Sequence, residues 1–137
     1  MSCADGIDMS MNAPADAALR VLIADDAPDI RLLLKMYLTD SRLEVVGEAT
    51  NGAEAVEMAR EEQPEAVILD LAMPVMDGLE AIPLIKEASP GTKIVVLSGF
   101  DAERMAEKAI GLGAETYLQK GVALGEISQT LWNLCRG

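Results

Sequence analysis

The sequence predicts an α/β domain: a five-stranded parallel sheet, doubly wound, with helices on both faces. Three observations carry that expectation. Short segments, most of them rich in Val, Ile and Leu, begin at Arg20, Leu43, Ala66, Lys93 and Glu115, a spacing of roughly 22–27 residues. Helical patterns fill the intervals, and strict β-then-α alternation implies parallel strands with crossover helices. No linker or low-complexity tract interrupts this region, and 137 residues, 50% of them apolar, are enough for one compact domain but not for two.

The opening stretch "MSCADGIDMSMNAPADAAL" has neither a basic start nor a continuous apolar core, and it carries Asp5, Asp8 and Asp16. It is no signal peptide. Residues 1–18 are expected to form a disordered acidic extension, and residues 19–137 the folded domain. "RVLIA" is the first strand. Ile30, Leu33, Leu34, Tyr37 and Leu38 then fall at i, i+3, i+4, i+7 and i+8, one apolar face of a helix opening near Pro28.

"LEVVGEA" is the second strand and "NGAEAVEMAREEQ" the second helix, punctuated by Pro64. "AVILD" is a buried third strand. The third helix, "GLEAIPLIKEASPG", contains Pro83, which removes a hydrogen bond and disfavours helical geometry at Ile82, so a kinked or late-starting helix is expected. Asp77 reads as its turn or capping residue. "KIVVLS", "DAERMAEKAIGLG", "ETYLQK" and "LGEISQTLWNLC" complete the alternation. Met36, Met58, Met73, Met76 and Met105 read as core or rim packing, and Trp132 as the anchor of the last helix on the sheet.

A formal charge of −12 argues against direct nucleic-acid binding, because a phosphate backbone repels an acidic surface. No apolar run reaches the length of a membrane span. Cys3 and Cys135, near the two ends, suit a reducing cytoplasm better than a disulfide scaffold. The chain has no histidine, which excludes Ser-His and Cys-His nucleophilic pairs, His-containing zinc sites and a phospho-histidine donor.

Carboxylates and a lysine must therefore carry the chemistry. In a doubly wound sheet, ligands sit beyond the carboxyl ends of the strands. There the sequence places Asp25 and Asp26, Asp70, Ser98 and Lys120. Two carboxylates about 4 Å apart repel by about 4 kcal/mol at an effective dielectric near 20, so one would stay protonated unless a cation intervenes. All-oxygen ligands favour magnesium, which also binds phosphate oxygens. Lys120 and Ser98 would then steady a dianionic phosphoryl group, with Asp70 as the nucleophile.

The motifs "IADDAP", "ILDLAMPVMDG", "VVLSGF" and "TYLQKG", in that order and at that spacing, resemble the receiver domain of bacterial two-component response regulators. The resemblance covers Arg20 to Arg136. It implies a flavodoxin-like sheet of order 2-1-3-4-5 and phosphorylation on Asp70 by a sensor histidine kinase or phosphotransfer protein. It also implies Mg2+ held directly by Asp26 and Asp70, by Asp25 through water and by the main-chain carbonyl of Ala72. Ser98 and Lys120 would contact the phosphoryl oxygens, and Ser98 and Tyr117 would act as the switch pair. The fourth helix, fifth strand and fifth helix, with Phe100 and Met105, would form the output surface towards an effector protein or domain.

Two positions depart from the commoner pattern. Gly121 follows Lys120 where many receivers have proline, a proline that subfamilies allied to DNA-binding regulators, such as the LuxR, NarL and FixJ type, also lack. Ser98 stands where threonine also occurs. Ala72 and Phe100, at the positions that tune self-dephosphorylation in the family, imply slow or intermediate hydrolysis.

The expected role is thus signalling rather than turnover of an external substrate. A stand-alone receiver and the receiver of a larger regulator both stay open, as does a homodimer. Two rivals stand against that role. A magnesium-dependent phosphatase of the dehalogenase-like kind would carry a second acid two places after Asp70, where Ala72 stands. A phosphorylation-independent interaction module would have no physical reason to keep the acids and the lysine together.

Overall fold

The apolar segments form β1 (Leu19–Ala24), β2 (Leu43–Ala49), β3 (Ala66–Leu69), β4 (Lys93–Ser98) and β5 (Thr116–Gln119) in the computed structural model, which describes residues 18–99 and 102–136. Each neighbouring pair is parallel, and the order β2-β1-β3-β4-β5 is the expected 2-1-3-4-5. The helices are α1 (Pro28–Asp40), α2 (Gly52–Glu62), α3 (Gly78–Ala88), α4 (Ala102–Leu112) and α5 (Leu124–Arg136). All of the expected acidic extension except Ala18, and Phe100 as well, lie outside the described residues. Among the described residues, no helix is long and apolar enough to cross a membrane.

Alternation along the strands divides the core into two layers. Leu22, Ala24, Val67, Leu69, Ile94 and Val96 face α2, α3 and α4, where Ala55, Ala59, Ile82, Ile85 and Ala109 meet them. Leu19, Val21, Ile23, Ile68, Val95 and Leu97 face α1 and α5, meeting Leu34, Leu38, Ile127 and Leu131. β1, β3 and β4 are central strands covered on both sides, so they read as unbroken apolar runs.

β2 at the edge behaves differently. Val45 pairs with Val21 but Gly47 pairs with Leu22, leaving Val46 as a bulge. Because side chains alternate strictly, one extra residue exchanges the faces of everything after it. Leu43 and Val45 lie in the α1/α5 layer, whereas Ala49 lies in the other. Glu48 is thereby turned towards α1, where it pairs with Arg31 and Lys35.

The helix ends follow the local chemistry. Asn51 caps α2 by accepting from Glu54 N at 2.9 Å. Asp77 caps α3 in a reciprocal capping box with Glu80, as expected of this residue. The box starts α3 at Gly78, so the helix does not start late; Pro83 sits inside it, and tertiary packing of Ala81, Ile82 and Ile85 overrides the local disfavour.

The methionine reading is corrected at one position: Met36 is 62% exposed, while Met73 is buried and Met58, Met76 and Met105 pack against the core. Leu33, counted on the apolar face of α1, is also half exposed at 50%. Only Leu34 and Leu38 of that face are fully covered. Trp132 is half-buried against the α1/α5 layer.

Candidate functional site

Four strands deliver polar groups to one rim. β1 ends at Ala24, and Asp25 follows with its N–H donating to Ala49 O at 3.0 Å. β3 ends at Leu69, and Asp70 N donates to Ala24 O at 2.9 Å, which sets the two acids side by side. Ser98 closes β4, fully buried, and its carbonyl accepts from Lys120 N at 2.8 Å, tying the lysine to the same rim. After Lys120 the chain turns at Gly121, whose φ of 110° lies where glycine enters without steric cost.

Asp25 and Asp70 are each only 3% exposed, whereas Asp26 is exposed. Carboxylate oxygens of all three lie within 4.8 Å of one another. Lys120 Nζ stands 3.0 Å from Asp25 Oδ2 and 3.4 Å from Asp70 Oδ2. One ammonium thus faces two buried carboxylates and offsets only one of their charges, with the exposed Asp26 beside them. Burial, and then the Asp25 charge, hold the Asp70 carboxyl above its ordinary value, while Lys120 pulls the other way. Burial acts to lower Lys120, but its hydrogen bond to Asp25 and the Asp70 charge outweigh that, and the ammonium is held above its usual value.

A residual excess of buried negative charge in an all-oxygen donor set fits a hard divalent cation. Beside the acids lies a cavity of about 240 Å³ lined by Asp70, Ala72, Ser98, Gly99 and Lys120, roomy enough for a phosphoryl group with water around it.

The loop carrying Ala72 is pinned at both ends. Gly78 N donates to Leu71 O at 2.9 Å, and a Cβ at Gly78 would stand 2.3 Å from Asp70 O. Gly52 N at the start of α2 donates to Met76 O at 2.8 Å. Between these anchors Val75 is forced to φ 68° and left 85% exposed, a strained conformation for a β-branched residue.

The sequence expected Asp25, Asp26, Asp70, Ala72, Ser98 and Lys120 to gather, and they do so on one rim. Neither Asp25 nor Asp26 caps α1, whose N-cap is Ala27 with no side-chain cap. Asp25 Oδ1 instead accepts from Ala27 N at 2.9 Å, a local turn. Tyr117 lies half-buried on β5 beside Val96, against the core layer that also takes Met105.

Arg31 was missed. Its Nη1 donates to Asp25 O at 2.8 Å, and its Nε reaches Glu48 Oε1 at 3.2 Å. A basic residue in the first turn of the helix after the acids was the available signal. Its partner Glu48 was hidden by the bulge.

The receiver domain of response regulators matches residues 21–131 of the chain. The chemotaxis protein CheY of Thermotoga maritima is 45% identical over 101 residues, covering 74% of this chain and 84% of that protein. The response regulator VraR of Staphylococcus aureus is 34% identical over 120 residues, covering 87% of this chain but 57% of VraR. The signal receiver domain of NarL from Mycobacterium tuberculosis superposes with a TM-score of 0.82 at 29% identity, over 88% of this chain and 98% of that one. With the sheet order, the acidic rim and these likenesses in agreement, the chain belongs to the receiver-domain family of two-component response regulators.

Proposed function

We propose that this receiver is a phosphoacceptor and that Asp70 takes the phosphoryl group. The observation that carries the reading is the single Lys120 ammonium placed between Asp25 and Asp70 at the mouth of a cavity over Asp70. An Asp70 oxygen would form the new O–P bond while the P–N bond of a kinase or phosphotransfer phospho-histidine breaks, with the imidazole leaving. Acetyl phosphate would serve as a small donor in the same way. Asp26, Asp70, the Ala72 carbonyl and, through water, Asp25 would hold Mg2+, which would supply positive charge against the phosphoryl oxygens.

The chain's own residues do the rest. Lys120 steadies the charge that develops on the transferring group, and the Ser98 hydroxyl donates to a phosphoryl oxygen. The added charge of about −1.5 to −2 draws Ser98 and Lys120 inward. Tyr117 then follows towards the space beside Ser98, shifting α4, β5 and α5 between two pre-existing arrangements. Met105 belongs to the face that an effector protein or domain would read.

Intact-protein mass after incubation with acetyl phosphate and Mg2+ tests the reading. One phosphoryl adduct, lost in Asp70→Asn, is expected. An unmodified wild-type protein would leave a bare interaction module, and sustained turnover of donor would indicate a phosphatase.

A further inference from the structure

The peptide joining Asp25 to Asp26 sets where the exposed acid of the cluster points. The Asp26 carboxylate has no hydrogen-bond or ion-pair partner among the described residues, so its aim depends on the backbone beneath it. Three bonds hold that backbone. Asp25 N donates to Ala49 O at 3.0 Å, Asp25 Oδ1 accepts from Ala27 N at 2.9 Å, and Asp25 O accepts from Arg31 Nη1 at 2.8 Å. Only the third grips the carbonyl of the peptide that leads into Asp26.

Arg31 is itself held. Its Nε donates to Glu48 Oε1 at 3.2 Å, the other Glu48 oxygen stands 3.3 Å from Lys35 Nζ, and the Arg31 side chain is 17% exposed. The planar guanidinium presents Nε and Nη1 to two acceptors at once, which an ammonium cannot reproduce. α1 has no side-chain N-cap, so this bridge is what ties its first turn to the acidic loop.

We propose that Arg31 is a positioning residue for the metal-binding loop: clamped by Glu48, its guanidinium fixes the Asp25–Asp26 peptide and directs the Asp26 carboxylate into the acidic cluster. The proposal rests on the phosphoacceptor reading, because it takes that cluster to hold Mg2+. Glu48 is shared between Arg31 and Lys35, and the effect assigned to Arg31 is one of geometry, which Arg31→Lys separates from charge. Groups that orient a metal's ligands matter by about 10–100-fold in affinity.

The test is Mg2+ itself, titrated calorimetrically into the full chain and its Arg31→Gln, Arg31→Lys and Glu48→Gln variants. Arg20→Gln, which breaks the 3.0 Å pair with Glu62 near the start of β1, is the control for loss of an ion pair elsewhere. The Mg2+ Kd should rise roughly tenfold in Arg31→Gln, nearly as much in Arg31→Lys and about threefold in Glu48→Gln, and stay unchanged in Arg20→Gln. The Mg2+ needed for half-maximal phosphorylation by acetyl phosphate should rise in step, with the rate at saturating Mg2+ preserved within about twofold. An Arg31→Gln protein that melts earlier but binds Mg2+ as wild type does would overturn the proposal, and so would full rescue by Arg31→Lys. If Arg31→Gln fails to fold, Arg31→Lys and Glu48→Gln decide the matter alone. Wild-type protein that binds no Mg2+ overturns both this proposal and the phosphoacceptor reading, whereas unchanged binding in the variants overturns the proposal only.

Discussion

Lys120 Nζ lies 3.4 Å from Asp70 Oδ2 while also standing within hydrogen-bonding distance of Asp25. Its removal strands two buried carboxylates facing one another. Lys120→Met should lower stability in EDTA by roughly 1–3 kcal/mol, less than a fully buried pair would cost because the lysine side chain is 30% exposed. Urea melts measure this, and phosphorylation by acetyl phosphate should fall at least about tenfold. A second change, Asp70→Asn, should restore part of the lost stability by removing one of the stranded charges.

Asp70 alone gives a pH signature. An unfolded aspartate titrates near pH 4 (about 3.9), and burial raises the folded value. Between the two values the unfolded chain has released a proton that the folded chain retains, so stability falls as pH climbs through that window. Above the ordinary aspartate value, burying Asp70 is therefore a net cost to stability. Asp70→Asn should be more stable than wild type in EDTA at neutral pH, with the gain shrinking as pH approaches 4. A gain that stays constant across that range would show that the asparagine relieves something other than buried charge.

The strain at Val75 is removable. A left-handed conformation costs about 1–2 kcal/mol for an ordinary residue and less for asparagine, whose side chain tolerates it. Val75 buries little that asparagine would forfeit, being 85% exposed. Val75→Asn should raise stability by about 1 kcal/mol and the thermal midpoint by a few degrees. An unchanged midpoint would mean that the φ of 68° carries no penalty.

Gly78 is the opposite case. A Cβ there would meet the Asp70 carbonyl at 2.3 Å and Leu71 Cα at 2.7 Å, both backbone atoms with no room to retreat. Gly78→Ala should destabilise by roughly 2 kcal/mol or more and weaken Mg2+ binding by displacing the Ala72 carbonyl. Thermal melts with and without Mg2+ separate the two effects, since the stabilisation that Mg2+ confers should itself diminish.

The strand ends were legible because an acid, a serine or a lysine at the close of an apolar run interrupts a pattern that burial otherwise enforces. The strand order followed from the family's motifs. Asp77 was readable because capping is local chemistry within four residues. What escaped depended on contacts between distant segments. Pro83 sits within a helix whose buried face outweighs one missing bond. Met36 and Leu33 lie on the open side of α1, and helical period alone does not say how far a neighbouring helix reaches. Glu48 was assigned no partner because simple alternation from Leu43 places it on the wrong side of the sheet.

That last miss has a wider meaning. Whether Glu48 meets α1 depends on the parity of the residues between Leu43 and Ala49, which the bulge at Val46 sets. Straightening the bulge with Val46 retained, so that Val46 and not Gly47 faced Leu22, would leave every acid of the rim untouched in the sequence, yet it would rotate Glu48 into the opposite layer and withdraw the anchor from Arg31. In this edge strand, odd or even counting is itself a determinant of how the rim is built.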